Sequence, residues 1–151
     1  AHQVMAEERD VELVVEGVTT ARATVDPMRM RQVLDNLITN AIKYNREWGS
    51  VTVAVAVEPA AGVSVEVRDT GQGIPDADLP RIFDRYYRTN SAKTSTTVGT
   101  GLGLSITREI IHRHGGHLTV TSELGIGTTF RITVPSEREP STATGSRSVA
   151  A

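Results

Sequence analysis

Hydrophobic and polar residues alternate along several short stretches of the chain, which is the pattern of strands with one buried face. Six stretches of this kind form three pairs, and residues typical of turns separate the members of the second and third pairs. The pairs are residues 11–15 with 21–25, 51–57 with 63–67, and 117–121 with 128–134. They predict three pairs of strands, of which the second is an antiparallel hairpin.

Two longer segments carry hydrophobic residues at helical spacing. The first begins at Asp26, a residue type that caps helices, and continues with Pro27 at the first helical position, where the missing N–H costs nothing. It is predicted to end around residues 45–48. The second follows the glycine-rich residues 99–103 and ends at the glycine pair 115–116.

These elements follow one another as β-β-α-β-β-loop-α-β-β, and hairpins rather than β-α-β crossovers are expected to join the strands. The order predicts a two-layer α/β sandwich in which helices cover one face of a mixed sheet. The predicted domain spans residues 10–135, including a charged, weakly helical segment at 76–88 and a polar loop at 89–98. Residues 1–9 are expected to be an N-terminal extension or an artificial end, and residues 136–151 a disordered tail with few hydrophobic residues.

Composition excludes several classes of protein. The absence of cysteine excludes a disulfide scaffold, thiol catalysis and cysteine-based zinc sites. The net charge of −2 argues against a general nucleic-acid binder, which would carry a basic surface. The longest uninterrupted apolar run, residues 53–57, is far shorter than the ~20 residues that span a bilayer, and no signal peptide is expected. We therefore expect a soluble domain with an aliphatic core.

The first predicted helix carries a row of polar residues beside its apolar face. Asn36 and Asn40 are one turn apart on the same side, and Lys43 and Tyr44 extend that side by another turn. A carboxamide oxygen can ligate a hard cation such as Mg²⁺, and a lysine supplies a point charge for phosphate. The alternative is a surface helix with solvated amides.

Asp69 ends a predicted strand and is followed by Gly71 and Gly73. A carboxylate at a strand end can accept a hydrogen bond from an exocyclic amine such as that of adenine, and neighbouring glycines let the backbone lie flat against a ring. The alternative is an Asx-type turn that stops the strand.

The glycines at positions 99, 101 and 103 lead into the second helix. Such an entry presents unpaired N–H groups and the positive end of the helix dipole, which suits a phosphate chain. A Walker loop would need a lysine after the glycines, and a dinucleotide fingerprint would place the third glycine one residue later. A flexible hinge that caps the helix is the alternative.

Taken together, these motifs resemble the catalytic ATP-binding domain of sensor histidine kinases, in the ATPase superfamily shared with DNA gyrase, Hsp90 and MutL. Five segments match the family's motifs in the family's order across roughly residues 10–135. They are the N box at 35–44, the first glycine box at 69–75, the F box at 81–88, the second glycine box at 99–106 and the terminal glycine box at 127–130. The resemblance implies a Bergerat-type fold, with a mixed, largely antiparallel sheet of about five strands covered on one face by three helices.

The resemblance also implies roles for individual residues, with ATP and Mg²⁺ as the bound species. Asn36 would be the principal Mg²⁺ ligand, Asn40 would contact metal or phosphate, and Lys43 would reach phosphate. Asp69 would accept the adenine amino group. The other implied ATP-binding residues are Tyr44, Gly71, Gly73, Ile74, Gly99, Thr100, Gly101, Leu102, Gly103, Leu104 and Thr128. The implied catalytic residues are Asn36, Lys43, Arg85 and Arg88, joined by Lys93 in an ATP lid at about residues 85–100.

Water-hydrolysing members of the superfamily resemble one another in having a glutamate at the position of Asn36. A carboxamide cannot accept a proton at neutral pH, so the phosphoryl group would be kept for another nucleophile, a histidine imidazole. None of the four histidines here fits the family's acceptor motif, and the resemblance implies a structural role for His114 at a corner between helix and strand. The resemblance therefore implies a separate dimerisation domain that carries the acceptor.

The implied partners are that dimerisation domain and a cognate response regulator, with no nucleic acid and no direct membrane contact. The chain would be a cytoplasmic domain of a membrane-anchored sensor. Three alternatives stay open: a nucleotide-gated ATPase, a degenerate ATP-sensing module, and a kinase that phosphorylates serine on a partner. The F-box residues 83–88 favour transfer to histidine.

Overall fold

The computed structural model describes residues 1–90, 93 and 99–136. Three helices and five strands lie in this part of the chain. The helices are α1 (His2–Glu7), α2 (Pro27–Lys43) and α3 (Gly103–Arg113), with a single 3₁₀ turn at Leu79–Arg81. The strands are β1 (Glu12–Gly17), β2 (Ser50–Glu58), β3 (Gly62–Asp69), β4 (His117–Glu123) and β5 (Gly127–Val134).

The strands form one sheet in the order β1-β2-β3-β5-β4. Strand β1 runs parallel to β2, while β2 with β3, β3 with β5 and β4 with β5 are antiparallel. Helix α2 is the crossover between the two parallel strands. The described residues therefore confirm the two-layer sandwich with a mixed, largely antiparallel sheet, and they add a β-α-β crossover that was not predicted.

The core lies between the helices and one face of the sheet. From α2 it takes Val33, Leu37, Ala41 and Ile42, and strands and α3 supply the facing aliphatic residues. The opposite face of the sheet is polar: Arg68 pairs with Glu66 at 2.9 Å, and Arg131 bridges Glu66 and Glu58. This one-sided burial explains why the strands alternate so regularly in sequence.

Helix α2 begins as predicted but ends earlier. The Asp26 carboxylate accepts hydrogen bonds from the N–H groups of Met28 (2.9 Å) and Arg29 (3.1 Å). The helix ends at Lys43 rather than around 45–48. The Asn45 amide donates to the Ser50 carbonyl at 3.0 Å, which ties the chain after the helix to the start of β2.

Two N-terminal segments differ from the prediction. Residues 21–25 are not a strand; they form a single bridge, Ala23 with Ser136, and their alternating hydrophobic residues pack against the core instead of pairing. Residues 2–7, for which no element was predicted, form α1, and Ala6 is buried in the core.

The segment 76–88, predicted to be weakly helical, contains only the single 3₁₀ turn. The predicted tail beyond residue 136 and part of the predicted lid, residues 91, 92 and 94–98, lie outside the described residues. None of the described helices is long and apolar enough to cross a membrane.

Candidate functional site

A cavity of about 570 Å³ opens between α2, the ends of β3 and β5, and the glycine-rich entry to α3. It brings together most of the residues that the sequence singled out. Those that line it are Asn36, Asn40, Lys43, Tyr44, Asp69, Gly73, Ile74, Arg88, Gly99, Thr100, Gly101, Gly103, Leu104 and Thr128. Residues far apart in sequence thus share one concave surface.

Asp69 lies at the sheet side of the cavity, at the end of β3. Its Oδ1 accepts hydrogen bonds from the N–H groups of Gly71 (2.8 Å) and Thr128 (3.2 Å). Burial raises the pKa of the Asp69 carboxyl, and the two backbone hydrogen bonds oppose that rise. The other oxygen, Oδ2, has no hydrogen-bond partner among the described residues, so it is available to accept from a ligand donor.

Thr128 faces Asp69 across the β3–β5 ladder and connects it to a hydroxyl on β4. The Thr128 Oγ1 lies 2.8 Å from Ser122 Oγ. Ser122 Oγ also accepts from the Ile74 N–H at 2.8 Å and donates to the Gly127 carbonyl at 3.0 Å. Ser122 therefore ties the first glycine loop to the strand end that carries Thr128.

Gly73 has a backbone conformation that excludes a side chain. Its φ is +71°, and a Cβ built on it would lie 2.1 Å from the carbonyl oxygen of Glu123. The first glycine loop therefore packs directly on the backbone of the β4–β5 turn. This contact places Ile74 at the wall of the cavity.

The helix side of the cavity is organised around Asn36. Its Nδ2 donates to the hydroxyl of Thr107 on α3 at 2.9 Å, which leaves the carbonyl oxygen Oδ1 as its remaining polar atom. A Cβ at Gly103 would lie 2.1 Å from that oxygen. Because Gly103 has no side chain, Asn36 Oδ1 can occupy this space, and the hydrogen bond to Thr107 fixes the orientation of the amide.

Comparison with known proteins shows what kind of domain this is. Residues 25–138 match the family described as histidine kinase-, DNA gyrase B-, and HSP90-like ATPase. The chain belongs to this family. The resemblance predicted from the five motifs is therefore confirmed, and the cavity lies where those motifs meet.

Individual relatives of this ATPase domain are sensor kinases. It is 43% identical over 116 residues to the sensor histidine kinase WalK of Bacillus subtilis (strain 168), covering 76% of this chain and 19% of that protein. It is 41% identical over 140 residues to the sensor protein kinase WalK of Staphylococcus saprophyticus, covering 90% of this chain and 22% of that protein. The chain thus spans about a fifth of the length of these curated relatives.

Solved structures agree with this assignment. The mycobacterial sensor histidine kinase MprB superposes with a TM-score of 0.78 at 27% identity, covering 89% of this chain and 90% of that one. Full-length ShkA in complex with AMPPNP superposes with a TM-score of 0.75 at 30% identity, covering 88% of this chain and 27% of that one. The ATPase domain therefore has the fold of histidine kinase catalytic domains.

Four predicted site residues of the ATPase domain do not line the cavity: Gly71, Arg85, Lys93 and Leu102. Arg85 is exposed and lies near Glu109, whose pKa is lowered mainly by its hydrogen bond to Arg113, with a smaller contribution from the Arg85 charge. Lys93 is exposed. Their roles toward a nucleotide stay predictions, and so do those of the residues that line the cavity.

The cavity also contains residues that sequence reasoning did not select: Asp35, Thr39, Ala41, Gln72, Ile82, Tyr87, Thr89 and Phe130. Tyr87 is fixed by a 2.5 Å hydrogen bond to Asp78 and by Arg81 stacked 4.4 Å above its ring. Thr107 and Ser122 were missed as well. Nothing in the sequence pairs Thr107 with a residue 71 positions earlier.

His114, which follows the last residue of α3, makes contacts that join two helices. His114 Nε2 accepts from the N–H of Asp26 at 3.0 Å, and its Nδ1 lies 2.7 Å from the Ile110 carbonyl. These contacts require a proton on Nδ1, and they join the end of α3 to the start of α2. Across the described ranges, no group of three or more histidine, cysteine or acidic residues could hold a metal ion.

Proposed function

We propose that this domain binds Mg·ATP and donates the γ-phosphoryl group to a histidine imidazole on a separate dimerisation domain of a longer sensor kinase. One observation carries the proposal. A single cavity joins an acceptor carboxylate at the sheet edge, a carboxamide oxygen on α2 and a glycine-opened helix N-terminus. The carboxylate suits the amino group of a nucleobase, the carboxamide oxygen suits a metal ion, and the helix N-terminus suits a phosphate chain.

The sheet side of the cavity suits adenine. Asp69 Oδ2 can accept one N–H of the exocyclic amine, while Oδ1 stays bound to the backbone of Gly71 and Thr128. The raised pKa of the carboxyl reflects the low polarity of its surroundings, where a hydrogen bond to a charged acceptor is strong. Ile74 and Tyr44 offer apolar walls to the ring.

The residues on α2 fit Mg²⁺. Asn36 lines the cavity and has a neutral oxygen, which Thr107 orients and which fits beside Gly103 because that residue has no side chain; Mg²⁺ prefers oxygen ligands combined with water. Asn36 would hold the ion, with Asn40 contacting metal or phosphate. When bound, the ion neutralises charge on the phosphate chain.

The same residue favours transfer over hydrolysis. The Asn36 carboxamide has no basicity at neutral pH, so it cannot activate water as a carboxylate would. A neutral imidazole can attack without first losing a proton: one ring nitrogen forms a bond to the γ-phosphorus as the bond to the ADP oxygen breaks, and the proton on the other ring nitrogen is then released. Lys43 and Arg88 line the cavity and would stabilise the charge of that loose transition state, with Arg85 and Lys93 acting from the lid.

The setting of the whole protein follows from the proposed reaction. The dimerisation domain would carry the acceptor histidine, and a cognate response regulator would receive the phosphoryl group. We further propose that the domain is the cytoplasmic part of a membrane-anchored sensor.

Reconstitution tests the proposal. The domain is mixed with γ-labelled Mg·ATP and the separately produced dimerisation domain of a WalK relative, and acid-labile phosphate on the acceptor is measured. Label on the acceptor, lost when its histidine is replaced by glutamine, is the expected result. Fast release of inorganic phosphate without acceptor, and no label on the acceptor, would instead establish a nucleotide-gated ATPase.

A further inference from the structure

We infer that Ser122 sets the polarity of the Thr128 hydroxyl, so that the base end of the cavity selects a 6-amino purine over a 6-oxo purine. The inference rests on the proposed function, since it concerns the base of the nucleotide in that cavity. Ser122 does not line the cavity and acts through Thr128, so it is a positioning residue.

Three groups surround the Ser122 oxygen. The Ile74 N–H can only donate to it, and the Gly127 carbonyl can only accept from it. The third neighbour, Thr128 Oγ1 at 2.8 Å, can do either. Because a serine hydroxyl has one proton, the direction of the Ser122–Thr128 hydrogen bond depends on where that proton goes.

One arrangement gives every hydroxyl proton a partner within the described residues. The Ser122 proton goes to the Gly127 carbonyl, and the Thr128 proton goes to Ser122 Oγ. In the opposite arrangement the Gly127 carbonyl loses its hydroxyl donor, and the Thr128 proton has no acceptor in the part of the chain that the structure describes. Buried polar groups are nearly always paired, which favours the first arrangement.

With its proton committed to Ser122, Thr128 Oγ1 offers the cavity lone pairs only. Thr128 is 6% exposed, and its N–H is also committed, to Asp69 Oδ1. Asp69 Oδ2 is the second acceptor at this edge. Two acceptors match the two N–H groups of a 6-amino purine and oppose the carbonyl of a 6-oxo purine, because an acceptor facing an acceptor loses a hydrogen bond and adds repulsion.

Ser122→Ala removes the acceptor of the Thr128 proton and so allows Thr128 to donate into the cavity. The dissociation constants of Mg·ATP and Mg·ITP are measured for the unaltered domain and for this variant by calorimetry. The preference for ATP over ITP should fall by about 5- to 30-fold in the variant, the equivalent of about one hydrogen bond. Ser122→Thr keeps the hydroxyl and should retain the preference for ATP. Thr121→Ala, on the exposed face of β4, is the matched control.

A second variant separates this role from a merely structural one. Thr128→Val removes the hydroxyl that Ser122 orients, so this variant should show a lower preference for ATP even though Ser122 is unchanged. In that background Ser122→Ala should cause no further change in the ratio of the two constants. If Ser122→Ala does not fold, Thr128→Val alone can still overturn the inference: an unchanged ratio of the two constants would show that the Thr128 hydroxyl does not select the base.

The outcomes distinguish the inference from the function on which it rests. An unaltered domain that does not bind Mg·ATP overturns the proposed function. A domain that binds Mg·ATP, but whose ATP preference is the same in Ser122→Ala, overturns the inference alone. An equal drop caused by Ser122→Ala with and without the Thr128 hydroxyl also overturns it, because the effect would then not pass through Thr128.

Discussion

Replacing Asp69 with asparagine separates the two consequences of burying a carboxylate at the base end of the cavity. An asparagine Oδ1 can accept the same hydrogen bonds from Gly71 and Thr128 that hold the carboxylate, so the strand end should keep its geometry. What changes is the second oxygen, which becomes an NH₂ group. That group would face the exocyclic amine of adenine, donor against donor.

The expected loss of affinity is that of one hydrogen bond to a charged acceptor. Such a bond contributes about 1.5–3 kcal/mol, so the dissociation constant for Mg·ATP should rise by roughly 10- to 150-fold.

Stability of the nucleotide-free domain should change in the opposite direction. The pKa of Asp69 is raised by burial, so folding favours the protonated carboxyl. Its contribution to stability is complete below the pKa of the unfolded chain and is lost as pH rises through the higher folded pKa. Asparagine has no such loss. The variant should match the unaltered domain in acid and exceed it in free energy of unfolding at neutral pH.

Two measurements check these expectations: calorimetric titration with Mg·ATP, and urea unfolding across a pH series without nucleotide. Asp76→Asn removes the same charge from an exposed position and is the control for net charge. The reasoning is refuted if Asp69→Asn binds Mg·ATP as well as the unaltered domain. It is also refuted if the difference in stability does not grow with pH.

Three further substitutions have defined expectations. Gly103→Ala places a Cβ where Asn36 Oδ1 lies, so Mg·ATP affinity should fall by about 10- to 100-fold while circular dichroism shows an intact fold; unaltered affinity would contradict the placement of Asn36. Thr107→Val leaves the Asn36 amide without its hydrogen-bond partner and should lower the free energy of unfolding in urea by about 1–3 kcal/mol. Thr107→Ser keeps the hydroxyl and should retain most of the stability of the unaltered domain. His114→Ala removes the link to the Asp26 N–H and should cost about 1–3 kcal/mol with ATP affinity unchanged; a selective loss of affinity would argue for a functional histidine.

Local signals in the sequence were sufficient for most of the fold. Alternation located all of the strands because one face of the sheet is polar and the other is buried. Asp26 and Pro27 located the start of α2 because capping is decided within one turn of chain. The strand predicted at 21–25 was wrong because alternation indicates which side chains are buried, but not whether a neighbouring strand is available for pairing.

Long-range contacts could not be predicted in this way. Helix α1 depends on Ala6 packing into a core formed by distant residues, and its short polar sequence has no pattern of its own. Thr107 and Ser122 are ordinary residues of a helix and a strand until the fold brings them to Asn36 and Thr128. The motifs identified most of the residues that line the cavity, but not the residues that orient them.

The cavity is divided between the two layers of the fold: Asp69 and Thr128 belong to the sheet, whereas Asn36 and Gly103 belong to the helices. A small planar heterocycle that carries an amino group could therefore bind in the sheet half without reaching the positions proposed for the metal and the phosphate chain. A competitive inhibitor would then need to fill only that half, where Asp69 is the hydrogen-bond acceptor, and a molecule without phosphates could do so.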